Sequence, residues 1–320
     1  MNNTSYAAPK KRFDKKTLVL LTMVAPGAIW LFLLRYLPIF GIVLAFQDYK
    51  LFKNTSKLPA LINNILKSPF VGFKNFRFLF SSPDTGSVMK NTIGYNALWI
   101  VLTLVISIVF AIMLNELTKK IFARTYQTLM FFPFFLSWMV ASYFLLAFLD
   151  PTRGLIANLQ RSWSMTPTSW YTNPGPWPFI LTGANLWKNI GYSTILYLAA
   201  ITGIPESQYE AAAIDGAGKF QQIFAVTIPH LKGMIIVLFI MSVGRIMNAD
   251  FGLFYAVPMN TGSLYPATRV IDTYVYNAFN STGNMGMTTA AGLFQNLIGF
   301  ILIMTTNTII RKVDPDSSLF

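Results

Sequence analysis

Cysteine is absent from this 320-residue chain, and histidine occurs once, at His230. Disulfides and thiolate chemistry are thereby excluded, as is a zinc or di-iron site built on several histidines; no metal site is expected. Charge is scarce as well. Only 12% of the residues are Asp, Glu, Lys or Arg, about half of what a soluble domain carries. The acids are the scarcer sign, 12 against 25 basic residues, which leaves a formal net charge of +13. On a soluble protein that balance suggests nucleic acid. Here the basic residues flank apolar runs, so anionic lipid is the simpler partner and no nucleic acid is expected. Internal repeats and low-complexity tracts are also lacking.

What is present is apolar sequence: 54% of the residues are hydrophobic and the mean hydropathy is +0.49. Several runs reach the roughly 20 residues that a helix needs to cross a bilayer. They are continuously apolar and do not alternate, which fits helices and not barrel strands. The expected fold is an all-α integral membrane protein with about six transmembrane helices. The spans are placed near Leu18–Phe46, Thr92–Asn115, Tyr126–Leu149, Phe179–Ile201, Met234–Phe251 and Ala290–Ile310. The first run is too long for a cleavable signal and no small-residue cleavage pattern follows it, so it reads as a retained span.

Basic residues near span ends set the orientation. Lys10, Lys11, Arg12, Lys15 and Lys16 precede the first span. Lys119, Lys120 and Arg124 fill the turn after the second, and Arg311 and Lys312 follow the sixth. Six spans put all of them, and both termini, on the cytoplasmic side. Residues 1–17 form a basic cytoplasmic N-terminus and 18–320 the transmembrane domain. The long basic loop after the first span is an exception, but long loops translocate with little regard to charge. Its phenylalanines, Phe73, Phe76, Phe78 and Phe80, suggest a stretch lying on the membrane surface. The loop 150–177, rich in Pro, Gly and Trp, reads as an ordered outer loop.

The segment 204–232, between the fourth and fifth spans, differs from the other loops. Pro205 suits a first helical turn, and Ser207 with Glu210 has the spacing of a capping box. Glu210–Ile214 favours helix, Gly216 stops it, and a second short helix over Lys219–Ile228 is expected to end at Pro229. The pattern is Glu210-Ala211-Ala212, three residues, Gly216, nine residues, then Val226-Thr227-Ile228-Pro229. It resembles the cytoplasmic loop of binding-protein-dependent (type I) ABC importer permeases, with mild apolar swaps at Val226 and Ile228. Val71–Phe76 and Pro133–Val140 resemble the sugar-importer permeases, particularly the oligosaccharide and polysaccharide branch related to maltose-type permeases.

That resemblance implies a permease subunit and not an enzyme. Its partners would be a second homologous permease, two ATP-binding subunits, an extracytoplasmic solute-binding protein and a carbohydrate. The location would be a bacterial plasma (inner) membrane. ATP and magnesium would sit on the partner ATPases, with no cofactor bound here. Glu210, Ala211, Ala212, Asp215, Gly216 and Pro229 would form the ATPase-coupling helix and its flanks. The chain's own faint echo of a phosphate loop, Gly216-Ala-Gly218-Lys219-Phe220, lacks the required glycine, at Ala213, and the Ser or Thr, at Phe220. His230 reads as a surface histidine.

No catalytic residue stands out; polar residues inside spans mark a pathway instead. Asn185, Lys188, Asn189 and Tyr192 recur at i, i+3, i+4 and i+7, one face of the fourth span. Amides and a hydroxyl among aromatics suit a sugar. Met241, Arg245, Asn248 and Gly252 make a similar stripe on the fifth span, with Ser242 adjacent. Similarity to maltose-type permeases implies sugar contact at Ser242 and Asn248. Arg245 faces either the pathway or an ion-pair partner such as Asp250. Gly292, Asn296 and Gly299 suggest close helix packing. Two other classes compete: an ion-coupled secondary carrier, which normally needs mid-membrane carboxylates, and a non-transport scaffold, which has no use for the Glu210 loop.

Overall fold

The computed structural model describes residues 15–50, 60–315 and 318–319, with the side chains of 60–62 excepted. Lys10, Lys11 and Arg12 of the basic N-terminus, and Lys53 and Lys57 of the first loop, lie outside the described residues. Among the described residues the only extended pairing is a bridge between Gln47 and Phe70; everything else regular is helical.

The first span is helix α1 (Lys15–Leu31), continued by a wide turn over Phe32–Tyr36 and a tight helix over Leu37–Phe46. No residue of α1 is buried. Packing begins only at its far end, where Asn75 donates to the carbonyls of Ala45 at 3.0 Å and Gln47 at 2.9 Å. Phe46 meets the rings of Phe70, Phe73 and Phe76 there. The phenylalanine stretch is therefore split. Phe78 stacks on Tyr274 and Phe80 meets Phe294 edge-on, so part of it is packed on the protein and not laid on lipid.

Further helices build the body. They are α2 (Thr85–Asn115), α3 (Lys120–Phe131), α4 (Trp138–Leu149), α5 (Trp177–Ile201) and, after a hairpin described below, α6 (Ile228–Gly244). Short α7 (Phe251–Ala256) and α8 (Ile271–Thr282) lead to α9 (Met285–Val313). Among the described residues four helices can cross a membrane by length and composition: Lys15–Phe46, Thr85–Asn115, Lys219–Gly244 and Met285–Val313. A fifth is added if α3 and α4 form one span. Helix α5 has 25 residues, about 37 Å of helix, but its polar residues keep it out of that apolar set. It is instead a central helix, packed most extensively on α2 and also on α3 and α6. Its neighbours shield from lipid what its own surface would not tolerate there.

Two expected spans are not continuous. The run Tyr126–Leu149 bends by 102° between Phe135 and Trp138. Pro133 lacks the N–H that would extend α3, the chain tightens over Phe132–Phe135, and Ser137 restarts a helix by accepting from the Val140 N–H at 3.3 Å. The run Met234–Phe251 stops being helical at Gly244 and unwinds through 245–250 before α7.

Three apolar clusters form the core among the described residues. One, of Leu79, Val88, Met247, Ile271, Val275 and Ala291, joins α2 and the unwound segment to α8 and α9. The two others lie along α2 and α5. The first of these gathers Tyr95, Trp99, Trp138, Trp177, Leu181 and Phe254, the second Ile108, Ala111, Leu114, Tyr197, Ile201 and Leu231. Between these two clusters α2 and α5 leave a gap.

Candidate transport cavity and coupling hairpin

That gap is a cavity of about 440 Å³ walled by α2, α5, the end of α6 and the unwound segment after it. Its size falls in the range of roughly 300–1,000 Å³ usual for small-molecule sites. Asn185, Asn189 and Tyr192 reach it from α5, Ser242 from α6, and Arg245 and Asn248 from the unwound segment. Two stripes read separately in the sequence thus converge on one space. Trp99 and Asn96, which no sequence pattern singled out, complete it from α2.

Lys188 is the exception among the expected pathway residues. Its ammonium donates to the carbonyls of Phe134 at 2.8 Å and Leu136 at 2.5 Å and lies over the Phe134 and Trp138 rings. It occupies the corner between α3 and α4, not the cavity wall. The physical reason is that the bend frees backbone carbonyls from the helical ladder. In an apolar surrounding such groups need a donor.

The unwound segment 245–250 has the same need and meets it through long-range contacts. Asn96 donates to the carbonyls of Ile246 at 2.8 Å and Asn248 at 3.2 Å. Gln295 of α9 donates to the Met247 carbonyl at 2.7 Å. Asp272 of α8 accepts from the Ala249 N–H at 2.8 Å and from Gln295 at 3.3 Å. Burial pushes the Asp272 carboxyl above the ordinary carboxylate value, against the pull of its bonds from Ala249 and Gln295. Asp250 accepts from the Trp138 indole at 2.6 Å and caps α7 through the Leu253 N–H. Asp250 is therefore engaged elsewhere, and the pairing with Arg245 weighed in the sequence does not form. Among the described residues Arg245 has no ion-pair or hydrogen-bond partner for its guanidinium. Gly299 carries the close approach to α6: a Cβ there would overlap the Gly244 carbonyl, whereas one at Gly292 would meet nothing.

At the other end of α6 hangs the hairpin. Helix Glu206–Ile214 begins after Pro205, and the Ser207–Glu210 capping box does not form because the helix starts two residues early for it. Gly216 turns the chain at φ +81°, a conformation that L side chains rarely adopt. Helix Lys219–Gln222 follows, then a wide turn over Ile223–Thr227. Pro229 does not end the helix as expected. Its missing N–H falls just after the wide turn, where the regular ladder is already interrupted, and the axis runs on from Lys219 to Gly244, 26 residues. Glu210, Ala211, Asp215 and Gly216 are exposed and Ala212 half-buried. Ile214, Phe220 and Phe224 are apolar yet 87%, 80% and 71% exposed. Tyr209 bonds Thr227 at 3.0 Å, and Lys219 pairs with Glu116 at 3.1 Å. The hairpin therefore sits beside the basic turn that holds Lys119, Lys120 and Arg124.

A helical membrane bundle with a polar cavity at one end of a continuous helix and an exposed, apolar-tipped hairpin at the other has the build of a transport subunit. Comparison with known proteins agrees. Residues 103–316 match the family model described as binding-protein-dependent transport system inner membrane component. The chain belongs to that family and is a permease subunit of an ABC importer. It is 33% identical to Protein LplB of Bacillus subtilis (strain 168) over 98% of this chain and 93% of the relative. To the polygalacturonan/rhamnogalacturonan transport system permease protein YteP of the same strain it is 34% identical, over 91% of this chain and 87% of the relative. Among solved structures it superposes on a chain of the bacterial alginate ABC transporter, in complex with alginate pentasaccharide-bound periplasmic protein. That match has a TM-score of 0.80 and 27% identity, and covers 93% of this chain and 96% of the other.

Proposed function

We propose that this chain forms half of a carbohydrate pathway across a bacterial inner membrane, with α5 as the sixth membrane-crossing segment and both termini in the cytoplasm. The hairpin Glu206–Gln222 docks on a partner ATPase subunit. A second permease completes the pathway, an outer binding protein delivers the sugar, and the ATPases hold ATP and magnesium. The observation that carries the reading is continuity. The 26-residue helix Lys219–Gly244 joins the hairpin directly to the segment bearing Ser242, Arg245 and Asn248. At 1.5 Å per residue that is a lever of about 39 Å. When the ATPases close on ATP, a hairpin seated in their groove moves and the helix tilts as a rigid body, opening or closing the cavity.

Several features support the carbohydrate. Amides, hydroxyls and the Trp99 and Tyr192 rings share one cavity, and sugars offer both hydroxyl edges and apolar faces. The name of the relative YteP and the alginate transporter on which this chain superposes both point to polysaccharides. The basic turn beside the hairpin supports its cytoplasmic placement, and Lys232 paired with Asp314 at 2.7 Å draws the C-terminal tail to the base of α6.

The test is uptake by proteoliposomes holding the complete transporter. Oligosaccharide accumulation driven by ATP without an ion gradient is expected. Accumulation that follows an imposed proton or sodium gradient and ignores ATP would make this a secondary carrier. In cells, a cysteine replacing Ser207 should resist impermeant thiol reagents while one replacing Thr172 reacts; the reverse would invert the orientation.

A further inference from the structure

The cavity holds one charged side chain, Arg245, and no acid lines it. Arg245 projects from the unwound segment just beyond the end of α6, exposed and without a partner among the described residues. The nearby carboxylates are committed: Asp250 to the Trp138 indole and the α7 cap, Asp272 to Ala249 and Gln295. An arginine inside a membrane protein without a counter-charge is costly and marks a site that receives one. The backbone beside it is fixed from three helices by Asn96, Gln295 and Asp272, so Arg245 is held at the cavity wall before any ligand arrives.

From this we infer that Arg245 is a specificity residue for an acidic saccharide, donating its paired N–H groups to the carboxylate of a uronic acid unit. The planar fork of guanidinium matches the two carboxylate oxygens, which a neutral sugar does not offer. Asn185, Asn189 and Asn248 are within the same cavity for the ring hydroxyls, and Trp99 and Tyr192 for the apolar faces. The inference deepens the proposed carriage of carbohydrate and rests on it.

The experiment uses the complete detergent-solubilised transporter without its binding protein, so that only the membrane cavity selects. Binding of trigalacturonate is compared with binding of its neutral trimethyl ester, which has the same length and ring faces. Wild type should bind the acid about tenfold to hundredfold more tightly, the range expected of charge-assisted hydrogen bonds. R245Q should abolish most of that preference, weakening the acid far more than the ester, and R245K should keep part of it because charge remains while the fork is lost. Equal binding of the two probes by wild type would overturn the inference. So would R245Q weakening both alike, which would make Arg245 a packing residue or the partner of an acid on the second permease. ATP-driven uptake of both probes without charge preference sinks the role of Arg245 alone, whereas no ATP-driven uptake of any saccharide sinks the carbohydrate reading with it.

Discussion

The hairpin and the cavity lie at opposite ends of the helix Lys219–Gly244, and they are held in opposite ways. The hairpin is local. Its turn is set by Gly216, its first helix starts from Pro205, and its tie to the second segment, Tyr209 to Thr227, spans 18 residues. Its apolar tip, Ile214, Phe220 and Phe224, is left exposed by the described residues. The cavity wall is non-local. The bond from Asn96 to Ile246 joins residues 150 apart, and that from Gln295 to Met247 residues 48 apart. In the proposed reading one region is finished by a partner that docks on it. The other is finished by this chain's own helices, which leave only the cavity-facing groups free.

If that contrast is right, damage to the hairpin should spare the fold and damage to the clamp should not. The largest effect is expected from Glu210→Lys. Reversing a charge within a docking surface costs on the order of 2–5 kcal/mol of association, so uptake should fall more than tenfold while the chain still inserts and melts as wild type. Normal ATP-driven uptake by this variant would remove Glu210 from the docking surface. Next comes Gln295→Leu, which strips the Met247 carbonyl and the Asp272 carboxylate of a shared donor. Leaving buried groups unsatisfied costs about 1–3 kcal/mol. Thermal unfolding of the solubilised protein should show a lower midpoint, and an unchanged midpoint would mean that the unwound segment does not depend on the clamp. The smallest effect belongs to Lys219→Met. Its pair with Glu116 is largely exposed, 73% and 44%, and such pairs contribute about 0–1 kcal/mol. Stability should hardly change, and any loss should vanish at high salt; a large, salt-independent loss would show the hairpin to be anchored to the bundle through this contact.

The sequence was most informative where structure is short-range. Hydropathy marked the apolar helices, the spacing from Glu210 to Pro229 marked the hairpin, and i, i+3, i+4, i+7 periodicity placed Asn185, Asn189 and Tyr192 on one face. Those signals come from the helical repeat and from glycine and proline stereochemistry, which neighbours in sequence decide. The Ser207 capping box and the stop at Pro229 failed for local reasons as well. Pro205 starts its helix two residues early for the cap, and the wide turn over Ile223–Thr227 accommodates the missing N–H of Pro229.

By itself, then, the sequence determined that this is a helical membrane protein with a compact hairpin between two of its helices, because composition, period and backbone stereochemistry are properties of consecutive residues. Only the tertiary structure decided that span three bends at Phe135, that span five unwinds after Gly244, and that Lys188 serves a corner while Arg245 is left free in a cavity. A broken helix releases carbonyl and amide groups that apolar surroundings do not satisfy. Which distant side chain meets them, Lys188, Asn96, Gln295 or Asp272, depends on how helices cross, and no window of sequence contains both partners.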